Sequence, residues 1–117
     1  MSGNDKPLVW LRTVLRTPPV GVAARREAGL LLRKVQRGDA LNMPRSRPMP
    51  VIGERCHELR VRDRDADWRM IYRIDVQVIL VVHLFRKTTR TTPQSEIELA
   101  QARLKEHDRM VREHGDQ

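Results

Sequence analysis

Residues 56–93, CHELRVRDRDADWRMIYRIDVQVILVVHLFRKTTRTTP, hold three consecutive strand-like runs in which cationic side chains recur at alternate positions beside apolar ones. Side chains of a strand alternate between its two sides, so Arg69, Ile71 and Arg73 point one way while Trp68, Met70, Tyr72 and Ile74 point the other. In the first run, Cys56–Arg62, the side with His57, Leu59 and Val61 is opposed by Glu58, Arg60 and Arg62. In the third, His83, Phe85 and Lys87 share a side, with Val78, Leu80, Val82 and Leu84 opposite. Residues 63–67 read as a turn and residues 68–75 as the antiparallel neighbour of the first run. Residues 76–87, nearly continuous in Val, Ile and Leu, read as a central strand buried on both faces over much of its length. The pattern predicts a three-strand meander with one apolar and one cationic face, a surface suited to an anionic ligand.

Upstream, residues 43–53 carry prolines at 44, 48 and 50 and read as an extended connector. Before them Val20, Ala24, Ala28, Leu31 and Val35 recur at helical spacing. This predicts a helix of about 17 residues that starts at Pro18 and Pro19 and ends in a left-handed cap at Gly38. Arg25, Arg26, Arg33, Lys34 and Arg37 decorate its outer side. The opening run, residues 7–15, fits a strand or a loose helical turn, because so short an apolar stretch has no decisive period. Downstream, Thr92 as cap, Pro93 at the first helical position and Glu96 and Glu98 in the opening turns announce a last helix. Ile97, Ala100, Leu104 and Val111 lie along one side of it, and it ends near His114 and Gly115. The expected class is α+β: an N-terminal helix, an antiparallel sheet and a C-terminal helix, with the helices on the apolar face.

At 117 residues the chain reads as one domain spanning 1–117. Lys and Arg number 23 against 15 Asp and Glu, for a net charge of +8, which makes a polyanion the first partner to consider. The excess is uneven: residues 1–62 hold 13 basic and 5 acidic side chains, residues 63–117 hold 10 of each. Cys56 is the only cysteine, so an internal disulfide and a thiolate zinc cluster are both excluded, and a cytoplasmic location is expected. The four histidines, 57, 83, 107 and 114, show no ligand spacing, so no metal or other cofactor is expected. The aliphatic run from 78 to 82 is far too short to span a bilayer, so no membrane partner is expected.

The motifs KPLVWLR, SRPMPVIG, CHELR, WRMIYRID and HLFRKTTRTTP, in this order and spacing, resemble the phage-derived HigB-like branch of the RelE/ParE toxin superfamily over about residues 6–106. The resemblance implies a RelE-like fold and a toxin of a type II toxin–antitoxin pair. Such a toxin is usually a ribosome-dependent endoribonuclease acting on messenger RNA, neutralised by an antitoxin that often carries a helix-turn-helix domain. It implies a catalytic cation at Arg69, within Trp68-Arg69-Met70-Ile71-Tyr72, and a second phosphate contact at Lys87.

RNA carries its own nucleophile, the 2′-hydroxyl. Cleavage therefore needs a proton acceptor, cations for the phosphorane and a proton donor for the leaving 5′-oxygen. Oriented Arg or Lys beside the developing charge is the electrostatic stabilisation such a step requires. Glu58 is a candidate base, or else the partner of a structural ion pair with Arg69 or Arg73. His83, sharing a side with Lys87, is preferred to His57 as an imidazole candidate. Arg60, Arg73, Arg86 and Arg90 are candidate RNA contacts. The early last helix has Pro93 and Gln94 where RelE relatives carry a Tyr. Two other readings stand beside this one: a ParE-like toxin that inhibits gyrase by binding it, and a non-catalytic basic phage protein that binds nucleic acid.

Overall fold

The computed structural model describes residues 5–12, 20–64 and 66–115. Its elements run β1 (Leu8–Trp10), α1 (Val22–Gln36), β2 (Ser46–Pro48), β3 (Cys56–Arg62), β4 (Asp67–Ile74), β5 (Ile79–Lys87) and α2 (Gln94–His114). The strands form one sheet in the order β1-β5-β4-β3-β2. The β1/β5 pair is parallel and the other three pairs are antiparallel. The domain is therefore α+β, consistent with a RelE-like fold, and the β3–β4–β5 meander is as expected. Two strands extend it. The opening run forms β1, although residues 13–15 of that run lie outside the described residues. The stretch read as a connector contributes β2, whose Ser46, Arg47 and Pro48 sit opposite Leu59, Glu58 and His57.

Helix α1 buries Ala24, Ala28, Leu31, Leu32 and Val35, the stripe that its spacing announces. Pro18 and Pro19, expected at its start, lie outside the described residues. Gly21 caps the helix, and its N–H donates to Asp63 Oδ2 at 2.6 Å. A Cβ at position 21 would run into that carboxylate, so a larger residue there would displace the Asp63 side chain and its hydrogen bond. At the other end Gly38 has φ +96°. Its N–H bonds to Val35 O at 3.0 Å, and that of Asp39 bonds to Lys34 O at 3.0 Å, the paired closure of a left-handed cap.

The two helices pack on opposite faces of the sheet, which corrects the expectation of one apolar and one cationic face. With α1 pack Leu59, Val61, Trp68, Met70, Tyr72, Ile79 and Val81. With α2 pack Cys56, Ile71, Leu80, Val82 and Phe85, through Ile97, Ala100 and Leu104. Each strand has apolar residues on both sides, and a bulge in β5 enlarges the α2 side. Tyr72 is opposite Val81 but Ile71 is opposite His83, so Val82 is an extra residue that reverses the alternation. Leu80 and Val82 thus fall on the same side as His83 and Phe85, and Leu84 packs against the α1 cluster instead.

Helix α2 begins at Gln94 with Pro93, not Thr92, in the capping position. Its buried residues stop at Leu104. Val111, expected on the same stripe, is exposed because the helix has run past the core. No helix among the described residues is long and apolar enough to cross a membrane.

Candidate functional site

Strand alternation places Arg47, Glu58, Arg60 and Arg69 on the α2 side of the sheet, toward the end where β5 leaves for α2. Arg47 lies opposite Glu58, and Arg60 opposite Arg69. The Glu58 carboxylate is fully buried. Its Oε1 accepts from Arg47 Nε at 3.1 Å and lies 3.8 Å from Arg60 Nε and 3.7 Å from Arg69 Nε. Its Oε2 accepts from the Thr92 hydroxyl at 2.5 Å, and Arg47 Nη2 lies 3.3 Å from the same hydroxyl.

Lys87 lies on the same face, two residues beyond Phe85, which sits opposite Arg69, and feels the charges of Arg69, Glu58, Arg47 and Arg60. Burial pushes its ammonium pKa below the usual value and the Arg69 guanidinium pushes the same way, while Glu58 opposes both. Arg69 is likewise lowered by burial, with Glu58 opposing. Four cations around one carboxylate carry a net charge of +3. Like charges held this close repel one another, and the single carboxylate of Glu58 offsets only part of that charge.

Four of the eight residues singled out in the sequence, Glu58, Arg60, Arg69 and Lys87, therefore come together. His83 lies on the same face but is engaged by α2: Nε2 is 2.6 Å from Glu96 Oε1, Nδ1 is 3.2 Å from Arg103 Nη1, and the ring stacks on Phe85. Arg73 is not brought into the cluster. It is buried among the carboxylates of Asp75 and Asp108, meeting each through two nitrogens at 2.7–3.0 Å. Arg86 is exposed and by register faces the α1 side, beside an open cleft of about 450 Å³ that Lys87 also lines. Arg90 is exposed in the connection between β5 and α2.

Two members of the cluster were not singled out as site residues. In the sequence Arg47 falls in a proline-rich stretch that reads as a connector, and Thr92 reads as a helix cap. An alternating Ser-Arg-Pro facing a strand was the available signal for Arg47. For Thr92 nothing local pointed to a carboxylate 34 residues away. Among the described residues no three His, Cys, Asp or Glu side chains gather as a metal site would require.

A family profile described as phage derived protein Gp49-like matches residues 19–105, from just before α1 to the middle of α2. No curated protein matches the chain.

Proposed function

The chain belongs to the phage-derived Gp49-like family, and from that premise we propose that it is the toxin of a toxin–antitoxin pair and cleaves messenger RNA. The observation that carries this reading is the convergence of Arg47, Arg60, Arg69 and Lys87 around one buried carboxylate. A toxin that works by gripping gyrase needs no such constellation, so the convergence favours chemistry on a phosphodiester.

The substrate brings the nucleophile. The 2′-hydroxyl loses its proton as its oxygen attacks the adjacent phosphorus, a pentacovalent phosphorane forms, and the 5′-oxygen departs taking up a proton, to leave a 2′,3′-cyclic phosphate and a 5′-hydroxyl. The protein's task is to meet the growing charge on the equatorial oxygens. Arg69 offers a planar fork that can grip two of them, and Lys87 offers a compact point charge from the next strand. Donors fixed in place before the reaction stabilise the transition state without reorganising. Splaying bases by stacking takes exposed aromatic faces, and of the aromatic residues Trp10, Trp68, Tyr72 and Phe85 the last three are buried. The ribosome is therefore assigned the task of presenting the message. A cognate antitoxin with an acidic or apolar segment is the expected neutralising partner.

The test is cleavage of a ribosome-bound message. The upstream fragment is expected to end in a 2′,3′-cyclic phosphate or its opened 3′-phosphate, and deoxyribose at the reacting position is expected to stop the reaction. An upstream 3′-hydroxyl, or cleavage at the deoxy position, sinks the proposal.

A further inference from the structure

Glu58 is the most unusual residue of the cluster, a carboxylate with no exposure to solvent, three guanidiniums about Oε1 and a hydroxyl on Oε2. A general base must come within hydrogen-bond reach of the proton it takes. Glu58 Oε1 faces the Nε atoms of Arg47, Arg60 and Arg69, and Oε2 is closed by the Thr92 hydroxyl. Neither oxygen has an open direction left for a ribose hydroxyl.

The arrangement is also a poor way to stabilise a core. Desolvating a carboxylate and three guanidiniums costs several kcal/mol per ion before attraction returns it. Consistent with that cost, the Nε atoms of Arg60 and Arg69 are buried without a hydrogen bond. What the geometry does achieve is orientation. Arg47 donates through Nε to the inner carboxylate and through Nη2 to the Thr92 hydroxyl, Arg69 donates through Nη1 to the Trp68 carbonyl, and the Nε atoms of Arg60 and Arg69 stand 3.8 and 3.7 Å from the carboxylate, so each guanidinium is fixed on its inner side around Glu58. The side chains of Arg47, Arg60 and Arg69 are 34%, 25% and 13% exposed, so all three reach solvent beyond the buried anion.

We infer that Glu58 is a positioning residue, the internal counter-ion that sets Arg47, Arg60 and Arg69 as a phosphate-binding comb, with Thr92 as its latch and Arg47 as an additional phosphate contact. The comb draws on three strands: Arg47 from β2, Arg60 from β3 and Arg69 from β4. Thr92 ties the arrangement to the segment entering α2, so the docking of that helix and the aim of the arginines are set together.

The inference rests on the proposed RNA chemistry only in its kinetic arm. In that arm Glu58→Gln, which keeps the shape and removes the charge, is expected to lower kcat on the order of 10²-fold, as misplacement of reacting groups does. KM changes little, and the acid limb of the kcat–pH profile stays in place. Disappearance of that limb identifies Glu58 as the base and overturns the inference. The second arm needs no cleavage. The Nε–H resonances of Arg47, Arg60 and Arg69 are followed by NMR in the full chain, with Arg73, held by Asp75 and Asp108, as the internal control. In Glu58→Gln the three signals are expected to exchange faster and move toward free-arginine positions while that of Arg73 holds. Inorganic phosphate, as the probe, is expected to shift Arg47 together with Arg60 and Arg69 in the wild type.

If Glu58→Gln does not fold, Thr92→Val supplies the same readouts with a smaller effect. Unmoved Arg47 and Arg69 signals, or a phosphate response that omits Arg47, overturn the comb. Absence of ribonuclease activity with the NMR behaviour intact overturns the proposed function and leaves the comb standing.

Discussion

Arg69 lies beside Glu58 with its Nε 3.7 Å from Oε1 and no hydrogen bond there, and its Nη1 donates to the Trp68 carbonyl at 3.2 Å. Its removal withdraws a cation from the site without opening a hydrophobic cavity. Arg69→Ala is expected to abolish growth arrest on induced expression while the thermal melt stays largely unchanged, and full toxicity of the variant removes Arg69 from the chemistry. Lys87→Ala is expected to lose part of the activity, about 2–4 kcal/mol of transition-state stabilisation by analogy with deletion of one oxyanion donor. His83 is expected to behave in the opposite way. Both ring nitrogens are engaged by α2 side chains, so His83→Ala lowers the melting temperature first. Loss of growth arrest at an unchanged Tm would put the imidazole in the reaction instead.

The elements are fastened at two levels. Helix α2 is attached to the sheet by the buried Ile97, Ala100 and Leu104 and, beyond them, by polar ties from Arg73 to Asp108 and from Arg103 to the Val82 carbonyl. Truncating Leu104 to Ala is expected to cost about 2–5 kcal/mol, the usual range for a buried Leu. Hydrogen bonds from Arg73 hold the Asp108 carboxyl below its ordinary value of 3.8. A carboxylate depressed on folding adds stability that is present above its unfolded pKa and is lost as pH falls through the folded one. Asp108→Asn is therefore expected to melt below the wild type at neutral pH, with the gap closing as pH drops below about 3.8, the ordinary value. Thermal melts of both chains across pH 2–7 check it, and a gap independent of pH counts against the Arg73–Asp108 tie.

At the scale of the whole molecule, the excess charge of +8 is divided between two faces. The cations of α1 lie on the side of the sheet opposite the Glu58 cluster, so one RNA strand in the site does not follow both. Binding of single-stranded RNA weakens with salt by a slope of about 0.7 per phosphate neutralised. Arg69→Ala is expected to reduce that slope by about one such increment, whereas Lys34→Ala on α1 leaves it unchanged. Titrations of an uncleavable 2′-deoxy-substituted oligonucleotide at several salt concentrations decide this. Equal slopes for all three proteins would make the cluster no more than part of a diffuse basic surface. Association with an acidic antitoxin segment is expected to slow as salt rises.

Local pattern alone carried the limits of β3, Cys56–Arg62, the left-handed turn at Gly38, the end of α2 near His114 and the α+β class. Each depends on neighbours a few residues apart, where alternation, helical period and glycine's freedom act. The same alternation failed beyond Val81, since a single bulged residue reverses it and the bulge is a property of strand pairing. That reversal added His83 and Phe85 to the side that α2 covers and moved Leu84 to the α1 side. Strand β2, three residues ending in Pro48, is too short to show a period and exists because β3 offers an edge. Arg69 and Arg73 make the same point about the site: they share a strand and a side, yet one lies against Glu58 and the other is enclosed by Asp75 and Asp108. Which arginine was fully paired with carboxylates depended on partners 11 and 35 residues distant. Charge and alternation placed the cations on a face, whereas only packing over that face could determine which of them were already neutralised.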